Sequence, residues 1–566
     1  MFLHRVVQQL LTSREIHRIW NELDQGKDCA LNISQSARPF IVAARACAQA
    51  RPILLVVSGE DAADRAARIL AGWLGPDVVF RYPNRADLPW SDKSASAKVC
   101  GKRAEALFHL AQPQRCVVVA SARALLRRLP PTTSSFAQQQ KICIGNELDI
   151  YALARQLVLW GYVSTTAVKE VREPGYFCVH GDSVDVFSPC EQAPVRISFF
   201  GDEVDEIRKV VPSTGQTISS QQQAVLYAAR ELELSPETIQ CAKNKLYDKA
   251  QEDLDTERVL DQIEESVYTN ELDAYLPYLY PSTASVIDYM HPSALVVLAE
   301  PRALFDDCQR AYDELMHAST EKRVSLDGLY TSPVELDFGK QQRLSLSSLA
   351  RQGMRASNHV VTEQCDIAGS ASKMIGRIRE LLANNSAVVF SVPDRGARRA
   401  LQLSFTDENI SFEDASEHAS EHASKRAPEH ESEHNQDLEA QNLPLPRNKV
   451  VFFADPINAG IVIPSAHLAI FSVSDLNAHL NNKKHRFQKI DPTKLTFPFK
   501  PGDYVVHATH GIALFQKIVQ QEVAGKKRDY FLLTYAQDDK LYVPFEQVDK
   551  ITRYIGVILS TCSKGT

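Results

Sequence analysis

The residues of this chain whose types and spacing bear most directly on chemistry lie in the run Pro194-Val195-Arg196-Ile197-Ser198-Phe199-Phe200-Gly201-Asp202-Glu203. Strand alternation sends Arg196, Ser198 and Phe200 to one face and Val195, Ile197 and Phe199 to the other. The second set is the core face. Arg196 and Phe200 then make an outward arginine-aromatic pair, a composition favoured in protein-binding hot spots. The alternative is a cross-strand salt bridge beside an incidentally exposed ring. Asp202 and Glu203 resemble a catalytic carboxylate pair, but a turn position accounts for them. Gly101-Lys102-Arg103 is the nearest approach to a phosphate loop. It lacks the upstream glycine and the Ser/Thr that would hold magnesium, and it stands before a helical pattern with no apolar strand ahead of it. No GxxxxGK[ST], and no GxGxxG after a strand, occurs anywhere. The 11 cysteines contain no CxxC and are odd in number, which gives no zinc ligand set. His418, His422, His430 and His434, in a Ser-Glu-His-Ala repeat, offer at most loose metal contact. The chain therefore reads as a set of binding surfaces, with no catalytic residue, cofactor or metal.

Those surfaces need elements to carry them, and 566 residues suffice for about four domains. Residues 413–439 hold nine acids against Lys425 and Arg426, so this one stretch accounts for the formal charge of −7. The remainder is balanced and excludes neither nucleic acid nor protein as a partner. The stretch has almost no large apolar residue and is expected to be a disordered insertion, because it buries too little surface to offset its ordering entropy. No run approaches the roughly 18 apolar residues of a membrane span, and the start lacks the apolar core of a signal peptide. Scattered cysteines in apolar surroundings fit a reducing cytoplasm.

Apolar strands at 52–57 and 116–120, each followed by a helical pattern (61–74 and 122–129, the latter capped by Ser121), predict a parallel α/β sheet. Residues 82–90 read as an irregular surface segment. From 140 to about 218 the rhythm is one of short strands and hairpins; helical patterns return over 231–270, and 294–298 is another apolar strand. A second α/β unit has strands at 387–391, 450–453 and 468–471, with a helix at 371–382. Residues 481–500 carry six bases against Asp491 and form a basic linker. The last 65 or so residues predict short antiparallel strands in a small SH3-like barrel.

Two of these regions resemble a known family. Gly175-Tyr176-Phe177, Asp185-Val186-Phe187 and the run from Pro194 to Val204 are similar to domain 2 of the bacterial transcription-repair coupling factors, and to the equivalent domain of the excision-repair helicase UvrB. Pro501-Gly502-Asp503-Tyr504-Val505-Val506-His507, His510-Gly511-Ile512 and the stretches 529–535 and 539–544 resemble the RNA-polymerase-interacting domain of the same family. The resemblance implies an α/β multidomain chain. Residues 1–132 and 226–335 would be the two parts of a UvrB-like, degenerate RecA-like α/β domain flanking the β-rich domain 2 at 133–225. A small α/β domain at 336–480 would hold the disordered acidic insertion at 413–445. The linker 481–500 and an SH3- or Tudor-like barrel at 501–566 complete the order.

The resemblance also implies site residues. Domain 2 would recruit the damage-recognition ATPase UvrA through Arg196, Phe200 and His180, the last at a position where the family carries arginine. The barrel would grip the RNA polymerase β subunit through Gln521, Tyr530, Leu532 and Tyr535, with Gln521 replacing an apolar residue of relatives. The stretch 32–38 keeps no glycine that would let a backbone cradle form around phosphate. ATP belongs to the motor domains that follow in the family and that this sequence does not contain. The expected function is a non-enzymatic, cytoplasmic adaptor in transcription-coupled nucleotide excision repair. The competing readings are an ATP-dependent DNA translocase completed by a separate motor chain, and weak DNA binding through Lys483, Lys484 and Arg486 of the linker.

Overall fold

The structure, a computed structural model, describes residues 2–91, 94–251, 253–322, 325–336, 338–339, 341–348, 358–363, 371–415, 444–454, 460–472, 502, 504–507, 511–523, 526–535, 540–544 and 551–553. They fall into two compact units, Met1–Asn481 and Asn482–Thr566.

In the first unit six strands form one parallel sheet in the order Cys29–Asn32, Gln342–Ser347, Leu295–Ala299, Pro52–Val57, Cys116–Ser121 and Val79–Tyr82. Pro52–Val57 and Cys116–Ser121 are buried at every residue, as continuous apolar strands covered on both faces must be. The Gln342–Ser347 strand lies beyond the boundary expected at 335. Its Gln342, Arg343 and Ser345 break the apolar run that marks the other buried strands. After Cys29–Asn32 the chain makes a 3-10 turn and enters the Arg38–Ala48 helix. There the buried Arg38 side chain pairs with Glu300 and donates to Ser348 Oγ at 2.6 Å.

Three local expectations change. Residues 122–129 are not a helix: a 3-10 turn at Arg123–Leu125 gives way to bridges from Arg127 to Tyr330 and from Leu129 to Ala284. Tertiary pairing overrides propensity in so short a stretch, although Ser121 Oγ still accepts the Ala124 N–H at 3.2 Å. The 231–270 pattern is two helices, Pro236–Ala250 and Leu254–Glu264, each started by a side-chain cap, Ser235 and Asp253. The 82–90 segment is irregular but not superficial. Arg85, 2% exposed in its side chain, pairs with Glu231 at 2.7 Å, Asp87 at 2.6 Å and Asp273 at 2.5 Å. Arg103 joins Glu231 at 2.6 Å, and Arg127 donates to the Asp273 carbonyl at 2.8 Å.

The second sheet runs Phe412–Asp414, Val450–Phe453, Ala387–Ser391, Leu468–Ser472, Ile461–Ile463. It does not have a core to itself. Leu3, Val6 and Leu10 of the first helix and Trp73 share one apolar cluster with Phe453, Ile461, Leu468 and Ile470. Gln9 donates to the Ala466 carbonyl at 2.6 Å. The division expected at 335/336 is thus not a boundary between cores. The acidic stretch also starts inside the fold: Glu413 pairs with Lys449 at 2.6 Å, and Asp414 with Arg398 at 3.1 Å. The rest of that stretch with its histidine repeat, and the basic linker, lie outside the described residues. No helix among the described residues is long and apolar enough to cross a membrane.

In the Asn482–Thr566 unit five strands run antiparallel in the order Lys540–Pro544, Lys526–Thr534, Gly511–Val523, Tyr504–His507, Ile551–Arg553. Val505, Ala513, Phe515, Phe531, Leu533 and Val543 form its core. Among the described residues no pairing joins the two outer strands, so the expected barrel is seen as an antiparallel sheet.

Candidate functional site: a polar face on the β domain

The β domain is a six-stranded sheet ordered Thr217–Gln221, Glu203–Val210, Val195–Phe200, Ser183–Val186, Tyr176–His180, Val163–Ser164. A two-stranded neck, Gln140–Cys143 against Gln223–Leu226, carries the chain in and out. The sequence reading missed the helix Ile150–Leu159, which the Asp149 side chain caps. Its Leu153 and Leu157 share a core with Val184, Ile197 and Phe199. That covers the inner face; on the other, Val171 and Phe187 bury Cys178 at one side, and the part around Arg196 and Phe200 is left for contacts.

Tight turns fix the outer face. Gly181 and Gly201 sit at φ +59° and +65° in the two hairpin turns, a backbone state that favours glycine. The register then sets Cys178, Asp185, Arg196, Arg208 and Ser220 side by side across five strands. His180, Ser183, Ser198 and Glu206 form the neighbouring row, and Phe200 closes its strand beyond them.

The alternation expected around Arg196 holds: Val195, Ile197 and Phe199 are buried, Arg196 and Ser198 half-buried, Phe200 exposed. Of the two alternatives raised for Arg196, the cross-strand salt bridge is present. Its Nε donates to Asp185 Oδ1 at 2.7 Å and its Nη2 to Oδ2 at 2.8 Å, while the Phe200 ring is 84% exposed. Hydrogen bonding to Asp185 holds the Arg196 guanidinium above its ordinary pKa, so it carries its charge at any working pH. His180 is exposed at the end of its strand, where its carbonyl accepts from Ser183 Oγ at 2.9 Å. Asp202 is an exposed turn residue and Glu203, also exposed, opens the Glu203–Val210 strand; the Asp202 carbonyl accepts the Leu148 N–H at 2.7 Å.

Two residues escaped the sequence reading. Arg208 stands directly across from Arg196 and pairs with Glu206 at 3.2 Å. Asp185 is buried at 2%. Alternation along Glu203–Val210, joined to the two-residue turn at Gly201, is the signal that places Arg208 on this face.

The remaining expected residues are placed elsewhere. Tyr530 is half-buried and Leu532 is 8% exposed on the Lys526–Thr534 strand. Tyr535 packs against the core of its sheet, where burial pushes its phenol pKa up. Gln521 lies opposite Arg528 in the strand register. Lys483, Lys484 and Arg486 lie outside the described residues. No group of three or more metal-ligating side chains occurs among the described residues.

A family model of the UvrB interaction domain matches residues 141–232, and one of the CarD-like/TRCF RID domain matches residues 499–555. The chain is 26% identical over 574 residues to the transcription-repair-coupling factor of Myxococcus xanthus, covering 92% of this chain and 45% of that one. Against that of Bacillus subtilis it is 25% identical over 578 residues, covering 96% and 46%. Against that of Haemophilus influenzae it is 24% identical over 523 residues, covering 89% and 43%. The chain spans just under half the length of the curated relatives it matches. The two domain models fall on the β domain and the C-terminal sheet, and the proteins to which the chain is similar along about nine-tenths or more of its length are transcription-repair-coupling factors.

Proposed function

We propose that the chain is a non-enzymatic adaptor of transcription-coupled nucleotide excision repair, working in the cytoplasm. The β domain recruits UvrA through Arg196, Phe200 and His180. The C-terminal sheet, in this reading a small SH3- or Tudor-like barrel, holds the β subunit of RNA polymerase. The observation that carries it is Phe200, 84% exposed on the strand that also carries the paired Arg196, in the domain that matches the UvrB interaction domain. Arginine and large aromatics are the side chains that dominate protein–protein contact energy. Translocation on DNA belongs, in this reading, to motor domains of the family or to a separate motor chain, and the linker bases Lys483, Lys484 and Arg486 add at most backbone contacts to DNA.

The test is capture of purified UvrA and of RNA polymerase by the full chain. An Arg196→Glu, Phe200→Ala double variant should lose UvrA at least about a hundredfold, since two hot-spot truncations of about 2 kcal/mol each are removed, while polymerase capture stays intact. Tyr530→Glu should show the reverse pattern. Equal UvrA capture by the double variant and the parent sinks the docking assignment.

A further inference from the structure

Asp185 is an unusual residue to find at the centre of a sheet. It stands between Cys178 and Arg196 in the strand register, 2% exposed, while the Arg196 side chain is 25% exposed. Burying a carboxylate carries a large desolvation penalty. An ion pair offsets little more than that penalty, and an apolar pair of similar volume serves stability as well or better. Stability alone therefore gives no reason for Asp185.

What the pair does supply is geometry. Both carboxylate oxygens are taken by Nε and Nη2 of one guanidinium, a planar two-point contact that fixes the orientation of a long side chain. Nη1 is the edge the pair leaves unused. Arg208 stands across the strands from Arg196, and like charges directly opposite repel. Without the carboxylate, Arg196 would swing away from its neighbour and sample many rotamers. Phe200 lies four residues along the same strand and on the same face, so an Arg196 held in place offers one constant pattern of cation edge and ring.

We propose that Asp185 is the positioning residue of this docking face: it holds Arg196 before any partner arrives and presents the Nη1 edge, in register with Phe200, to an oxygen-bearing patch of the protein partner. The inference rests on the UvrA-docking reading above. Two effects oppose each other when the carboxylate is removed. The guanidinium loses its fixed orientation, but its full charge is freed for the partner. Ordering one long side chain on binding accounts for about a three- to tenfold loss of affinity, and on this proposal that loss outweighs the freed charge.

The experiment titrates purified UvrA against the full chain, its Asp185→Asn and Arg196→Ala variants, and the double variant, with thermal unfolding of each alongside. Asp185→Asn should weaken binding about three- to tenfold and should cost nothing further in the Arg196→Ala background. A purely structural role predicts the same loss in both backgrounds, which overturns the proposal. So does Asp185→Asn binding as tightly as the parent or tighter while Arg196→Ala binds weakly. If Arg196→Ala itself leaves UvrA affinity unchanged, the docking reading fails and takes the proposal with it, an outcome distinct from the other two.

Discussion

Replacing Glu231 by glutamine should destabilise the Met1–Asn481 unit by about 3–5 kcal/mol, the cost of leaving buried charge uncompensated. Glu231 stands just past the neck of the β domain and is 3% exposed in its side chain, with Arg85 and Arg103 on its two oxygens at 2.7 and 2.6 Å. Without its charge Arg85 keeps Asp87 and Asp273. Arg103 keeps only the Pro83 carbonyl at 2.9 Å and the face of Tyr82, 4.2 Å from the ring centre. An exposed pair such as Arg155–Asp149 at 3.6 Å contributes about 0–1 kcal/mol, so Arg155→Ala is the control. The acid limb gives the sign. Burial alone would raise the Glu231 pKa, but Arg103, Arg85 and Arg127 outweigh it and bring the carboxyl down to about 2. A depressed acid stabilises fully above its unfolded pKa, and that contribution is lost as pH falls towards the folded value. The difference in urea midpoint between parent and Glu231→Gln should therefore be constant from pH 7 to about 5 and shrink between about pH 4.5 and 2. A gap that persists unchanged at pH 2.5 would remove the charge from the explanation.

How much of this was legible beforehand depended on whether the cause was local. Pro52–Val57 and Cys116–Ser121 could be read from the sequence because burial on both faces forces an unbroken apolar run. Gln342–Ser347 could not, since its place in the sheet comes from neighbours 45 or more residues away. The outer face of the β domain was legible in part. Period-two alternation put Arg196 and Phe200 outward, but the partner of Arg196 depends on which residue of Ser183–Val186 lies opposite, and only the hairpin register fixes that. The ionic cluster was not legible at all: Arg85 and Glu231 are separated by 146 positions, and a lone arginine in an irregular stretch reads as solvated.

Gly101→Ala should destabilise the same unit by about 1–3 kcal/mol, although local rules predict the opposite sign. Gly101 lies within the Ala97–Leu110 helix, not ahead of one, and alanine in a helix interior is favoured over glycine by about 0.5–1 kcal/mol. The glycine that looked like the remnant of a phosphate loop has a packing reason instead. A Cβ built on it would lie 2.1 Å from Pro189 Cβ and 2.9 Å from its Cγ. The proline ring cannot rotate aside, and Pro189 Cα is 3.4 Å away, so relief requires moving the loop between the Ser183–Val186 and Val195–Phe200 strands or the helix itself. Overpacking of that size outweighs the propensity gain. Because Pro189 belongs to the β domain and Gly101 to the α/β layer, the strain should fall on the seam between them. Pro189→Gly combined with Gly101→Ala removes the colliding atoms and should recover most of the loss, whereas Pro189→Gly alone should be mildly destabilising. If Gly101→Ala unfolds at the same urea concentration as the parent, the two parts do not meet at this contact.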